Sequence, residues 1–142
     1  MRATGTGVGV IALITAALGA ACSSTSAPRT FVIASGETVT LSQGESATLA
    51  DAKFWITFIR VAYDDRCGPG AEKCSRLLGY DDAAADLELG SLIGDSVVAT
   101  LHTRADPQSL SFNNVDVRLE GLKAVDYPRY ELTLSTRPIS NP

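Results

Sequence analysis

The chain opens with a continuous apolar run and then changes its rhythm. Val8 to Leu18 (VGVIALITAAL) is interrupted only by Gly9 and Thr15, and the small residues Gly19, Ala20 and Ala21 follow it. From Phe31 onward, apolar and polar residues alternate in short segments, the period-two pattern of half-buried β-strands. Such segments cover 31–33, 37–41, 45–49, 54–63, 83–89, 96–103, 114–122 and 130–134. Turn formers separate them, among them Ser42-Gln43-Gly44, Gly90, Gly94-Asp95 and the 104–108 loop with Pro107. Spacings of about 8–12 residues between turn signals predict one antiparallel β-sandwich of about seven strands over residues 31–138. The alanine-rich stretch Asp82 to Asp86 is too short for a helix that stands alone.

Phe54 to Tyr63 (FWITFIRVAY) carries the strongest strand signal. Phe54, Ile56 and Phe58 share one face, and Val61 and Tyr63 continue the apolar series after a step of three. That slip predicts a β-bulge near Ile59 and Arg60. Apolar residues on the other face, Trp55 and Ile59, predict a central strand.

The N-terminal run is short for a membrane span, which takes roughly 20 apolar residues. A basic start at Arg2, an apolar stretch and a small-residue exit predict a secretory signal peptide over residues 1–21. Leu18-Gly19-Ala20-Ala21-Cys22 resembles the lipobox of bacterial lipoproteins, with Gly19 where the motif usually has Leu. The resemblance implies an acylated Cys22 as the mature N-terminus and attachment to a membrane through its lipid. Ordinary cleavage nearby, which would leave Cys22 a free thiol, is the competing reading. Ser23 stands where an Asp would retain a lipoprotein in a Gram-negative inner membrane, so in an envelope of that type the expected address is the outer membrane, on its periplasmic side. Residues 22–30 are small and polar and read as a flexible tether.

Charge agrees with an anchor made of lipid rather than of cations. The net charge is −4, and loss of Arg2 with the leader leaves 11 basic against 16 acidic residues. Nothing in that balance favours nucleic acid or a polybasic membrane contact. Outside the cytoplasm the remaining Cys67 and Cys74 are expected to form a disulfide, closing a loop with Gly68, Pro69 and Gly70. A metal site on two thiolates needs further Cys or His ligands, and His102 is the single histidine of the chain.

Around this loop the residues carry a second resemblance. Phe58-Ile-Arg-Val61, Asp64-Asp65-Arg66-Cys67 and Cys74 are similar to an uncharacterised group of secreted or lipid-anchored bacterial proteins with the pattern Phe-x-x-Val, Asp-Ser-Arg-Cys-Pro and Cys-x-Trp-x-Gly. The chain departs from that pattern at Asp65, Gly68 and Arg76. The resemblance implies a small envelope β-sandwich and no assigned reaction.

Candidate chemistry is sparse. Asp64, Asp65 and Arg66, with Glu72, Lys73 and Tyr80 of the adjoining loop, form the densest polar stretch and a candidate interaction loop. The plainer reading is that an Asp caps loop amides and Arg66 pairs with a carboxylate. Asp81 and Asp82, joined by Asp64, Asp65 or Glu72, have the oxygen chemistry of a Ca²⁺ site but no EF-hand spacing, and read as a solvated acidic loop. His102 sits in a strand without a Gly-x-Ser-x-Gly elbow, so no catalytic residue, cofactor or metal is expected. Trp55, Tyr63, Tyr80, Tyr127 and Tyr130 supply aromatic surface for carbohydrate or protein, with core packing the default. The expectation is a non-catalytic binding module. The alternatives are a protease-inhibitor-like loop at Cys67–Cys74 and a small hydrolase using Asp64 or Asp65 with His102.

Overall fold

The computed structural model describes residues 27–66, 81–126 and 128–140, and these form two β-sheets without a helix. The elements are β1 (Thr30–Ile33), β2 (Thr38–Ser42), β3 (Ser46–Leu49), β4 (Phe54–Asp64), β5 (Ala83–Ser91), β6 (Ser96–His102), β7 (Ser109–Phe112), β8 (Val115–Asp126) and β9 (Arg129–Pro138). One sheet has the order β1-β3-β4-β5-β6 and the other β2-β9-β8-β7. The predicted sandwich is therefore present, and β4 is central in its sheet.

Alternation decides which side chains fill the space between the sheets. Leu41, Leu49, Phe54, Ile56, Phe58, Leu87, Leu89, Leu101, Leu132 and Leu134 are fully buried, drawn from both sheets. Phe54 of β4 meets Phe112 of β7 across the interior with ring centroids 5.3 Å apart. On β5 the even residues point the other way. Ala84, Asp86, Glu88 and Gly90 lie on the outer face, opposite Tyr63, Arg60, Thr57 and Trp55 of β4.

The predicted bulge is found between Phe58 and Arg60. A second irregularity between Val61 and Tyr63 was not foreseen, and it corrects the apolar series. Val61 pairs with inward Ala85, whereas Tyr63 pairs with outward Ala84, so the extra residue at Ala62 turns Tyr63 to the outer face. The described residues form nine strands, one more than the eight alternating segments of the sequence. Ser109–Phe112 forms a hairpin with β8 through Asn113 and Asn114, whose φ angles of 46° and 59° suit a type I′ turn.

Gly90 has a packing reason. A methyl group there would stand 2.1 Å from Trp55 Cζ2 across the β4–β5 pair. Gly90→Ala is expected to lower stability by about 1–3 kcal/mol through overpacking. Urea denaturation measures it, and the loss should vanish in a Trp55→Ala background.

Candidate functional site

Of the polar residues singled out in the sequence, Asp64, Asp65, Arg66, Asp81, Asp82 and His102 gather at the end of the sandwich where β4 finishes and β5 begins. Register accounts for this. Tyr63 lies opposite Ala84, and Ala84 opposite His102, so three neighbouring strands present side chains toward the segment that enters β5. Asp82 stands in that segment, 1% exposed.

Its carboxylate is saturated. Oδ1 accepts from Thr103 Oγ1 at 2.7 Å and from the Arg104 amide at 2.7 Å. Oδ2 accepts from the Tyr63 hydroxyl at 2.7 Å and from His102 Nδ1 at 3.0 Å. Burial opposes ionisation of Asp82, but the hydrogen bonds from Tyr63, Thr103, the Arg104 amide and His102 outweigh it, and its pKa lies well below the usual carboxylate range. Burial, then the charge and hydrogen bond of Asp82, push the Tyr63 phenol up to about 12. An ionised carboxylate only accepts, so His102 carries its Nδ1 proton toward Asp82 and leaves Nε2 as the acceptor nitrogen in the neutral ring. Tyr63 also stacks at a tilt on His102, with ring centroids 5.8 Å apart.

Asp64 forms a second, separate unit. Arg66 Nε and Nη2 each reach it at 2.8 Å, a two-pronged contact, and the Arg66 amide adds a bond at 3.2 Å. The guanidinium hydrogen bonds, with a contribution from Tyr130, hold Asp64 below its ordinary pKa. Arg66 Nη1 also donates to the carbonyl of Leu122 on β8. This clamp ties the end of β4 to β8 and β9, and hence one sheet to the other. Asp65 is buried, and its amide donates to the Asp82 carbonyl at 2.9 Å.

The clamp borders an open cleft centred on Gln43 of the β2–β3 turn. Three adjoining cavities of about 410, 350 and 480 Å³ share Gln43 as a lining residue. Arg60, Tyr63, Asp64 and Tyr130 line its inner part. Val125, Pro128 and Arg129 of the β8–β9 turn form one rim, and Ala27 to Arg29, where the chain enters β1, form the other.

Three of the acidic residues considered for a cation are engaged with other partners. Asp81 pairs with Arg104 at 2.9 Å, Asp64 with Arg66, and Asp82 with its four donors. Among the described residues no group of three or more Asp, Glu, His or Cys is placed to hold a metal ion. The carboxylate that meets His102 is Asp82, not the Asp64 considered in the sequence. Of the described aromatic residues, Tyr63 and Tyr130 line the same part of the cleft, and Trp55 lies at the other end of β4. Trp55 covers Gly90, Tyr63 serves Asp82 at the far end of the same strand, and Tyr130 lines the cleft. Cys22, Cys67, Cys74, Glu72, Lys73, Tyr80 and Tyr127 lie outside the described residues.

In the sequence Asp82 reads as one half of a solvated acidic loop, whereas in the fold it is a buried hub. A weak signal existed: an Asp directly before a strongly apolar strand, with hydroxyl and aromatic donors at the ends of neighbouring strands. No protein-family model matches the chain, and no curated protein or solved structure matches it.

Proposed function

We propose that this chain is a lipid-anchored protein of a bacterial envelope whose β-sandwich is a non-catalytic module that binds a protein or a surface component. Support for the anchor comes from the apolar leader ending in Gly19-Ala20-Ala21-Cys22. The observation that carries the binding reading is the Asp64–Arg66 clamp at the edge of the Gln43 cleft. Its charged groups are held in position before any partner arrives, by two guanidinium bonds and by the Leu122 carbonyl, so little ordering entropy is lost on contact. Asp82 supports a structural role for the neighbouring polar cluster, since all four of its acceptor positions are taken.

Two measurements test the two halves. Cys22→Ser is expected to move the protein from the membrane fraction to the soluble one and to remove acyl mass from the mature N-terminus. An unchanged membrane fraction overturns the anchor. For the surface, pull-downs from envelope extracts compare the natural protein with Arg66→Ala and with a chain whose 64–74 segment is replaced. Loss of the same bands in both variants is expected, and identical bands in all three overturn the clamp as the contact.

A further inference from the structure

We propose that this chain pairs with a second copy of itself through the free edge of β6, extending the five-stranded sheet across a two-fold axis at Val98. Among the described residues β6 is the outermost strand of its sheet and, at seven residues, exceeds the other three edges, β1, β2 and β7, of four, five and four residues. Soluble proteins blunt such edges with charges, prolines or bulges. From Ser96 to Leu101 (SVVATL) β6 has none of these.

Backbone geometry states which groups face outward. The His102 amide turns away from β5 and donates to the Pro107 carbonyl at 2.9 Å, while the Thr103 amide bonds to Ala83 at 2.9 Å. Alternation then directs the amides and carbonyls of Ser96, Val98 and Thr100 outward. The 103–107 loop closes the edge at His102, and the Ser91–Asp95 turn, with the Ser91 amide on the Asp95 carbonyl at 2.7 Å, closes it at the other end. Among the described residues, what stays open is Ser96 to Thr100, and its midpoint is Val98.

An antiparallel second copy fits this segment in one register. Val98 meets Val98, Ser96 meets Thr100, and Val97 meets Ala99, with backbone bonds from all three outward residues of each copy. Val98 is 62% exposed on the outer face and Val97 44% exposed on the inner one, so the edge is apolar on both sides. No like charges meet at the axis. An isologous contact of this kind closes on itself and stops at two copies. Its small area places it among weak, reversible interfaces.

Cysteine cross-linking of the full-length protein in detergent tests the register. Facing Cα atoms in a bonded antiparallel pair stand about 5.5 Å apart, within disulfide reach. Val98→Cys is expected to yield, under mild oxidation, several-fold more covalent dimer than the natural protein, whose own cysteines set the background. Thr100→Cys alone should stay at that background, because two Thr100 residues are displaced by about four residues, or roughly 14 Å, along the strand. Mixed with Ser96→Cys chains it should cross-link. Sedimentation of Val98→Lys should show monomer at concentrations where the natural protein self-associates. Equal cross-linking of the Val98 and Thr100 variants, or a natural protein that stays monomeric throughout, overturns the proposal.

Discussion

Asp82→Ala is expected to lower the unfolding free energy by about 3–5 kcal/mol, the loss seen when one member of a buried charged network is removed and its partners stay behind. The Tyr63 hydroxyl, the Thr103 hydroxyl, the Arg104 amide and His102 Nδ1 all lose their acceptor in one step. Each buried donor left unsatisfied costs about 1–3 kcal/mol, and water entering the gap recovers part of the sum. Chemical denaturation at neutral pH measures the loss. A change under about 1 kcal/mol would mean that the donors find water without strain.

The same residue sets a pH dependence whose sign follows from its environment. The folded-state pKa of Asp82 is depressed, so its contribution is fully present above the unfolded value of about 3.9 and is lost as pH falls below it. Natural protein should therefore lose thermal stability below about pH 4, and the gap to Asp82→Asn should narrow there. Asp64 and Asp86, also depressed, leave a residual slope of the same sign in the variant.

Phe58→Ala is the second large effect, expected at about 3–5 kcal/mol from the lost burial plus the cavity left behind. Phe58 is fully buried on the central strand, one residue before the first bulge, where β4 cannot slide to refill the space. No titrating group touches this loss, so the gap between Phe58→Ala and natural protein should stay constant from pH 7 to pH 4. Paired with Asp82→Ala, it separates packing from electrostatics in one experiment. A Phe58 gap that shrank with acid would tie the core to the carboxylate cluster.

Hydrophobic spacing made the strands and the sandwich readable, because burial on one face of a pleated strand has no other period. The bulge at Ile59 was visible as a step of three among apolar residues. The irregularity at Ala62 was hidden, since Tyr63 is apolar enough to continue the series while its hydroxyl belongs to Asp82. Ser109–Phe112 escaped notice behind Pro107, although the Asn113-Asn114 pair is itself a hairpin signal. The Arg66–Asp64 contact was legible because the two residues are neighbours. Asp82 was not. Its partners at 63, 102, 103 and 104 reach it only through the pairing of β4, β5 and β6, which no local pattern encodes.

The pairing of β2 with β9 has a consequence for how the molecule assembles. Val39 lies against Leu134 and Leu41 against Leu132, an early strand completed by the last one. β1, β3, β4 and β5 find each other within the first two thirds of the chain, but β2 has no ladder until residue 131 and beyond have emerged. A chain made from its N-terminus must therefore carry Val39 and Leu41 uncovered until residues 131–135 have been added. Contacts so distant in sequence place such all-β domains in the millisecond-to-second range of folding times. During that wait the unfinished half is the part of the molecule that most needs a chaperone's shelter.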